Sequence, residues 1–447
     1  MSEHNVFEGK KAAYCTIGCK LNFAETASIA KTLAELGVMT AEDGERADLC
    51  VINTCTVTDM AAHKSRQAIR RMAREHPGAF IVVTGCHAQL HGDETSRIEG
   101  VDMVLGTDEK ARITDYLREA WSSDTRETCH TTRARDIRAF APGCARGNRT
   151  RFFLKVQDGC DYFCTYCTIP FARGRSRNAS ISTLVSLTEH AVREGGREIV
   201  LTGVNIGDFG KTTGETFIDL VKALDNVEGL CRLRIGSIEP DLLTDELIDY
   251  CAASRTVAPH FHIPLQSGSD NVLRLMHRHY DTRLFAHKIE KIRRLLPDAF
   301  IGVDVMAGCR GERRTDFDES AAFIRSLDIS RLHVFPYSER PGTAALRIPH
   351  AVDEEEKKER CRLLIALSEE KHHIFRARYI GKDAEVLLEK APKGKAPHGF
   401  TKNYIRVELP REDDAADYDN RLATVRINGF NSDGTAMNAS LIWIEQQ

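Results

Sequence analysis

The sequence predicts a three-part α/β fold: an N-terminal parallel-sheet domain, a partial (β/α)6 barrel and a small C-terminal all-β barrel. The 447 residues exceed one ordinary domain of about 100 to 200 residues. Up to residue 378, short β-rich runs alternate with stretches of helical period, as in βα units around parallel strands. Beyond that point short runs of alternating polarity follow one another, which is typical of a small β-barrel.

The composition indicates a folded protein with reactive cysteines. Hydrophobic residues make up 42% of the chain and charged residues 28%, which is typical of a globular protein rather than a disordered one. Residues 1–11 carry no apolar segment, and no window reaches the ~18 apolar residues of a membrane span. We therefore expect a cytoplasmic protein without membrane contact. In such a protein the 14 cysteines are better interpreted as thiols, ligands or catalytic groups than as disulfides.

The N-terminal domain is predicted over residues 10–125. Its strand runs are 12–17, 48–52, 79–84 and 101–105. A helix is expected over 23–36, with Asn22 and Glu25 as a capping box and Gly37 as the stop. Residues 126–147 are polar and rich in arginine, which favours a linker.

The barrel is predicted over residues 148–378 and the small β-barrel over residues 379–447. The six barrel strands are expected at 152–156, 198–201, 232–235, 260–264, 300–305 and 331–335. A charged helix over 353–378 precedes the last domain, whose strands are expected at 384–388, 404–409 and 423–430.

Three cysteines each follow a predicted strand of the N-terminal domain, in the runs GCKLN (18–22), NTC (53–55) and GCH (85–87). Loops that follow parallel strands emerge at one edge of the sheet, so Cys19, Cys55 and Cys86 should converge. Three thiolates there are what an iron–sulfur cluster with one open iron needs. The alternative is three separately buried thiols. Cys15 and Cys50 fall inside the strands and are interpreted as packing residues.

A further set of cysteines, Cys160, Cys164 and Cys167, has the spacing C-x3-C-x2-C directly after the first barrel strand. A loop this tight can hold three corners of a four-iron four-sulfur (4Fe–4S) cluster and leave one iron for a small molecule. Zinc is the alternative, but it would need a fourth ligand, and Cys144 and His190 are poorly spaced for that role.

The cysteine loop resembles the radical S-adenosylmethionine (radical SAM) signature, with Tyr166 at the aromatic position beside the last cysteine. Together with the upstream runs, the whole chain resembles the methylthiotransferases, a two-cluster branch of that family. Further matches are IVLTGVN (199–205), IPLQSGS (263–269) and FPYS (335–338), and the last domain resembles the RNA-binding TRAM module. Where the family usually has GFPGE, this chain has GCRGE (308–312), and we expect Cys309 to be a packing residue.

The resemblance implies S-adenosylmethionine and two 4Fe–4S clusters as cofactors. Cys160, Cys164 and Cys167 would hold the cluster that cleaves S-adenosylmethionine to a 5′-deoxyadenosyl radical, which abstracts a hydrogen. Cys19, Cys55 and Cys86 would hold the cluster that delivers sulfur, and a second S-adenosylmethionine would supply the methyl group. An electron donor and a sulfur source are implied as further partners, but their identities do not follow.

The expected substrate is a base in the tRNA anticodon loop. The runs TIGCKLN (16–22) and NTCTVT (53–58) are most similar to the branch that modifies C2 of N6-threonylcarbamoyladenosine next to the anticodon. Sister branches act on isopentenyladenosine in tRNA or on an aspartate of a ribosomal protein. A hypothesis of another class is a non-enzymatic iron–sulfur protein that binds RNA.

Polar residues at the carboxyl ends of barrel strands are candidates for contact with S-adenosylmethionine, because these ends form the active face of a βα barrel. Each has an alternative role in capping a helix or satisfying a turn. Besides Tyr166, the candidates are Thr202, Asn205, Ser237, Glu239, Gln266 and Ser267.

Basic patches are expected to bind RNA, although the net charge is only −3. Phosphates need positive charge and unpaired bases stack on aromatic rings. The alternative is a set of solvated surfaces. The candidates are Arg66, Arg70 and Arg74 on one helix face, the arginines around the cysteine loop (Arg146, Arg149, Arg151, Arg173, Arg175 and Arg177), and Lys393, Lys395, Lys402, Phe400 and Tyr404 in the last domain.

Overall fold

The computed structural model describes residues 5–42, 44–122, 128–147, 149–391, 395–410 and 418–446, and it confirms the three-part α/β architecture. Apolar cores lie on both faces of the N-terminal sheet, between the strands and helices of the central barrel, and inside the C-terminal barrel. No helix within these ranges has the length and apolar character that a membrane crossing requires.

The N-terminal sheet consists of parallel strands in the order β2-β1-β3-β4-β5-β6. Its central strands are buried on both faces and are therefore continuous apolar runs. The strands are β1 (Lys11–Thr16), β2 (Met39–Thr40), β3 (Leu49–Thr54), β4 (Phe80–Gly85), β5 (Met103–Leu105) and β6 (Cys129–His130). The helices are α1 (Lys20–Glu35), α2 (Asp59–Glu75), α3 (Cys86–Leu90), α4 (Gly92–Ser96) and α5 (Ile113–Ser122). Because β1, β3 and β4 are neighbours, the loops that follow them lie side by side.

The predicted capping box at the start of α1 is wrong. The helix begins at Lys20, and its N-cap, Cys19, makes no side-chain cap. The amide of Asn22 donates instead to the carbonyl oxygens of Ile17 (2.9 Å) and Thr54 (3.0 Å), where it ties two loops together. Glu25 accepts hydrogen bonds from cations of the barrel. Asn22 and Glu25 therefore make tertiary contacts instead of capping the helix.

The predicted linker over 126–147 contains secondary structure in its described part. β6 extends the N-terminal sheet, and β7 (Gly143–Ala145) pairs antiparallel with the first barrel strand and covers its edge. A short 3-10 turn, Ala134–Asp136, lies between them. Strands of two or three residues are too short to give a periodic signal, which is why the sequence did not predict them.

The six predicted barrel strands are present and parallel. β8, β11 and β12 form one sheet and β13 to β15 another, and the isolated parallel bridges Leu233–Val257 and Ser237–His262 lie along the junction between them. The six strands are β8 (Phe152–Lys155), β11 (Glu198–Thr202), β12 (Arg232–Arg234), β13 (His260–Gln266), β14 (Phe300–Ala307) and β15 (Arg331–Pro336), and a separate antiparallel pair, β9 (Gln157–Asp158) and β10 (Arg177–Asn178), lies between β8 and β11 in the sequence. The helices are α6 (Ile169–Arg173), α7 (Ile181–Arg193), α8 (Phe217–Asp225), α9 (Asp245–Ala253), α10 (Asp270–Leu275), α11 (Thr282–Leu295), α12 (Arg314–Ser326) and α13 (Glu354–Ala377).

Side chains along these strands alternate between the helix-covered core and the lumen of the barrel. The core-facing residues of β13 to β15 include Phe261, Ile263, Ile301, Val303, Leu332 and Val334. The residues between them, among them His262, Asp304 and His333, therefore face the lumen. Helix α1 of the N-terminal domain closes the open side, where the rings of Phe23 and Phe153 lie 5.3 Å apart.

The C-terminal domain is a closed five-stranded barrel in the order β16-β17-β18-β20-β19. Its strands are β16 (Asp383–Glu389), β17 (His398–Thr401), β18 (Arg406–Glu408), β19 (Leu422–Phe430) and β20 (Met437–Ile444). β17 and β20 were not predicted, since β17 is short and contains glycine, and the outer half of β20 is exposed on both faces. This C-terminal barrel packs against the amino ends of the strands of the central barrel. There the guanidinium of Arg232 donates to the carbonyl oxygen of Phe400 (2.9 Å) and pairs with Glu385 (3.0 Å).

Candidate active site

The first group of thiols, those of Cys160, Cys164 and Cys167, lies in the loop between β9 and α6. Gly159 has φ +74°, and a Cβ there would lie 2.0 Å from the carbonyl oxygen of Arg175, so only glycine lets the loop turn this tightly. The backbone N–H of Tyr162 points at Cys160 Sγ (3.5 Å) and that of Ile169 at Cys167 Sγ (3.4 Å). Donors aimed at sulfur are the contacts that stabilise a cluster thiolate.

The chemistry of these donors fits a cluster better than a zinc ion. Burial raises the pKa of Cys160 to about 12 and also raises that of Cys164 and Cys167, so a metal must displace the three protons. Three thiolates on one zinc lie about 3.8 Å apart. Among the described residues, neither cysteine group has its sulfurs within 4.8 Å of one another, as a single ion would require.

The second group of thiols meets at the carboxyl edge of the N-terminal sheet. Cys55 follows β3, Cys86 begins α3 after β4, and Cys19 precedes α1. A Cβ on Gly18, whose φ is +111°, would lie 2.9 Å from Cys55 Sγ, so the backbone before Cys19 approaches that thiol closely. Burial raises the pKa of Cys55 to about 11, with a smaller increase from the Cys86 thiol. Cys19 is exposed, which argues against three separately buried thiols.

A single buried arginine connects the two groups. Arg173 ends the helix that follows Cys167, and its Nε donates to Cys86 Sγ at 3.2 Å. The same guanidinium binds Asn22 Oδ1 (2.7 Å), in the helix that follows Cys19. The side chain is 1% exposed, so this is an internal contact between the N-terminal domain and the barrel. The sequence analysis placed Arg173 in an RNA-binding patch, and its burial makes that interpretation wrong.

Arg173 belongs to a buried ion network. Burial raises the pKa of Glu25, but Arg173, Lys110 and Lys155 together hold it well below its usual range. Burial also raises the pKa of Asp158, but neighbouring cations hold it well below its usual range, and Lys155 has the largest lowering effect. The ion pairs are Lys110–Glu25 (2.7 Å), Lys155–Asp158 (2.7 Å), Lys155–Glu25 (2.8 Å), Arg173–Asp158 (2.9 Å), Arg173–Glu25 (3.0 Å) and Arg177–Asp158 (3.3 Å). Four cations therefore face two carboxylates beside the Cys86 thiol, and the excess positive charge stabilises an anionic centre there.

A polar cavity wall faces the first group of thiols. Arg278 Nη1 donates to Cys164 Sγ (3.1 Å) and pairs with Glu239. Burial raises the pKa of Glu239 to about 7, although Arg278 opposes the shift. The Asn205 side chain is buried, and its amide and carbonyl have no hydrogen-bond partner among the described residues. Orphaned polar atoms at the carboxyl end of a barrel strand fit a bound polar ligand.

The other predicted cofactor residues differ in their surroundings. Tyr166 packs against the cluster of Cys309 and Tyr337, and its hydroxyl lies 3.4 Å from Arg278 Nη1. Cys309 is 4% exposed within that cluster, as expected for a packing residue. Ser267 is also buried, and its hydroxyl accepts the backbone N–H of Ser269 (3.2 Å), which indicates a turn role. The remaining candidates Thr202, Ser237 and Gln266 lie at the ends of β11, β12 and β13, and Gln266 has φ +63°.

A histidine–aspartate–histidine cluster, which the sequence analysis missed, lies in the lumen. Asp304 Oδ1 is 2.6 Å from His262 Nε2 and 3.1 Å from His333 Nδ1, and the two nitrogens are 3.2 Å apart. Although burial raises the pKa of Asp304, the two imidazoles hold it below its usual range. Three strands contribute one residue each, so no local sequence motif indicates the cluster.

Comparisons with known proteins agree with this geometry. Residues 11–106 match the family described as "Uncharacterized protein family UPF0004", and residues 154–324 match the radical SAM superfamily. A Bacillus subtilis (strain 168) protein named threonylcarbamoyladenosine tRNA methylthiotransferase MtaB is 38% identical over 90% of this chain and 91% of its own length. A protein of the same name from Thermotoga maritima is 35% identical over 88% of this chain and 90% of its own length. The chain belongs to the radical SAM methylthiotransferase family.

Further comparisons concern a relative named for another tRNA modification and a solved structure with a similar fold. A Clostridium botulinum protein named tRNA-2-methylthio-N(6)-dimethylallyladenosine synthase is 31% identical over 85% of this methylthiotransferase. The radical SAM methyltransferase TsrM from Kitasatospora setae has a TM-score of 0.56 at 13% identity, covering 75% of this chain and 77% of its own, and this likeness concerns the fold alone. Radical SAM membership implies S-adenosylmethionine and a 4Fe–4S cluster for this methylthiotransferase, and it removes the non-enzymatic interpretation.

The predicted RNA-binding residues of the methylthiotransferase differ in their exposure and contacts. Arg66, Arg70 and Arg74 lie on the exposed face of α2, and Lys395 is also exposed. Phe400 and Tyr404 instead stack on each other (4.8 Å) against barrel residues such as Arg151, whose Nη1 donates to the Tyr404 hydroxyl (3.1 Å). Other candidates differ again: Lys402 contacts the backbone of Arg255, Arg177 is buried in the ion network, and Lys393 lies outside the described residues.

Proposed function

We propose that this methylthiotransferase adds a methylthio group to C2 of N6-threonylcarbamoyladenosine next to the tRNA anticodon. The observation that carries the proposal is the pair of thiol groups, from two domains, joined through Arg173 in a chain that is 38% identical to a protein with that name over 90% of its length. The dimethylallyladenosine activity named for other relatives is the competing assignment, at 31% identity.

The two thiol groups have separate roles in this proposal. Cys160, Cys164 and Cys167 would hold a 4Fe–4S cluster with an open iron, and Cys19, Cys55 and Cys86 would hold a second one. When bound, the first cluster supplies the electron that cleaves S-adenosylmethionine, and the second supplies the sulfur. Asn205 and Glu239 provide polar contacts for S-adenosylmethionine at the carboxyl ends of β11 and β12. Arg173 and its ion network hold the N-terminal domain against the barrel.

The tRNA nucleosides of a deletion strain test this function directly. Loss of the encoding gene should remove the 2-methylthio derivative of N6-threonylcarbamoyladenosine and leave the unthiolated nucleoside in its place. Mass spectrometry of digested bulk tRNA measures both. Loss of the methylthio derivative of the dimethylallyl nucleoside instead would assign the enzyme to the other branch.

The second cluster makes a prediction about iron content. Anaerobically reconstituted protein should bind about eight iron atoms per chain, because each thiol group supports one four-iron cluster. A Cys55→Ala protein should bind about four, while Cys251→Ala, a buried thiol in the barrel core, should not change the count. Iron-free protein that is saturated with zinc and inactive toward S-adenosylmethionine would contradict the prediction.

The exposed face of α2 predicts a salt-dependent contact with tRNA. Changing Arg66, Arg70 and Arg74 to alanine should lower the slope of log K against log salt by about one unit per lost phosphate contact. Lys222→Ala is the matched control, since Lys222 is a surface cation that pairs with Glu246 (3.1 Å) on the outer helices. An unchanged slope in the triple variant would remove α2 from the RNA interface.

A further inference from the structure

The lumen of the barrel holds a polar site that the roles assigned so far do not explain. Lys20 begins α1, on the helix face that packs against the barrel. Phe23 and Ala24, three and four residues further on, belong to an apolar cluster with the lumen-facing Phe153. Residues three and four apart share a helix face, so Lys20 also points to the lumen.

Lys20 is enclosed by other elements but touches water. Its ammonium lies close enough to Asp304, Arg234 and Tyr404 for their charges to interact, and these come from β14, β12 and the C-terminal barrel. The side chain is nevertheless exposed. Lys20 therefore faces an accessible space between α1 and the lumen, which we call the chamber.

Lys20 differs from neighbouring charges in having no partner. Arg234 pairs with Glu198 (2.7 Å) and Arg151 with Glu389 (3.0 Å), while Asp304 accepts from two histidines. Within the part of the chain that the structure describes, Lys20 makes no hydrogen bond and no ion pair. An unpaired cation in an enclosed chamber is unfavourable, and an anionic group on a bound molecule would offset this cost.

The opposite wall of the chamber offers further polar groups. The His262–Asp304–His333 cluster supplies two imidazoles and a carboxylate within 3.2 Å of one another. Gly302 lies beside it, and a Cβ there would lie 3.0 Å from Phe300 Cε1 and in contact with His262 Cδ2 (3.7 Å) and His333 Cε1 (3.9 Å), so a larger side chain would crowd the cluster. These groups can donate to and accept from a hydroxyl or an amide on the molecule that Lys20 binds.

We propose that Lys20 and the His262–Asp304–His333 cluster bind the N6 substituent of the substrate base, with the Lys20 ammonium paired to a carboxylate. This inference rests on the proposed function, because a threonylcarbamoyl group carries a carboxylate, a hydroxyl and amide groups, whereas a dimethylallyl group is apolar. An apolar substituent would leave Lys20 and the cluster unpaired, and sites built to pair polar groups reject such analogues strongly. Lys20 thus determines which modified adenosine is accepted.

The decisive experiment compares reconstituted enzymes on two tRNAs, one with threonylcarbamoyladenosine and one with the carboxylate converted to its methyl ester. Lys20→Met should lower kcat/KM on the carboxylate substrate by at least about 100-fold, mainly through KM. The wild type should lose a similar factor on the ester, and Lys20→Met should lose nothing further there. Lys31→Met, on the same helix but paired with Glu194 (2.9 Å) at the surface, should behave as wild type.

Two further variants keep the outcome clear if Lys20→Met disturbs the adjacent Cys19. Lys20→Arg should retain the preference for the carboxylate over the ester, and His333→Asn should reduce activity on the carboxylate substrate at unchanged iron content.

An equal preference for carboxylate over ester in the wild type and in Lys20→Met, at full iron content, would overturn the inference while leaving the function intact. Loss of one equivalent of zinc or manganese in His333→Asn, with unchanged preference, would overturn it in favour of a metal site. A wild type that thiolates only dimethylallyladenosine tRNA would overturn the proposed function itself.

Discussion

A Cys164→Ala enzyme is expected to form no 5′-deoxyadenosine from S-adenosylmethionine. Cys164 is buried, accepts a hydrogen bond from Arg278 (3.1 Å) and stands between two other thiols in one short loop. Two remaining thiolates rarely hold a cluster with one correctly open iron, so the first chemical step is lost. Anaerobic assay of 5′-deoxyadenosine with a chemical reductant measures this, and we expect a loss to background.

A Cys55→Ala enzyme should behave differently, because its thiol lies in another domain. Cleavage of S-adenosylmethionine should stay detectable while the methylthio nucleoside disappears. If a folded Cys55→Ala enzyme with its barrel cluster intact still makes the methylthio product over many turnovers, the N-terminal thiols are not the site of sulfur delivery. Equal loss of 5′-deoxyadenosine in both variants would contradict the division of roles.

Cys50→Ala is the matched control for both variants. Cys50 is fully buried in β3, five residues before Cys55, and belongs to an apolar core cluster. Its loss should cost stability on the order of 1 kcal/mol without ending activity, because only a small packing volume is removed. The control separates general damage to the N-terminal sheet from loss of a ligand.

Some features of this protein follow from local sequence patterns. The six barrel strands were predicted because each belongs to a short β-rich run between stretches of helical period. The convergence of Cys19, Cys55 and Cys86 followed from one rule about parallel strands, since only the position of each cysteine after a strand was needed. Such features depend on residues that are close in sequence, or on a topology that sequence order already fixes.

Other features depend on burial, which charge and spacing do not reveal. Arg173 and Arg177 stand among six arginines near the cysteine loop, and nothing local distinguishes them from the exposed Arg175. Glu25 has the spacing of a capping residue, yet its partners Lys110 and Lys155 lie 85 and 130 residues further along the chain. Side chains whose partners come from another domain are therefore assigned by structure.

The contact of Arg173 with Cys86 leads to the second large expected effect. Arg173→Met removes the donor to Cys86 Sγ and one cation from the network around Glu25 and Asp158. Breaking a buried ion pair by removing one partner costs about 3 to 5 kcal/mol, because the charges left behind stay buried. We therefore expect lower stability in urea, loss of the N-terminal cluster and no methylthio product.

Arg173→Lys and Arg175→Met show which property of Arg173 matters. Lysine keeps the charge but loses the planar guanidinium that reaches Cys86, Asn22 and both carboxylates at once. Arg173→Lys should therefore restore stability only in part and leave about four iron atoms per chain. Arg175 lies two residues away, with a 66% exposed side chain and an exposed ion pair to Asp161 (3.4 Å), which is worth about 0 to 1 kcal/mol. Arg175→Met should therefore keep wild-type stability and iron content. Should Arg173→Met retain wild-type iron content and wild-type stability in urea, the buried network would not be what holds the N-terminal thiols against the barrel.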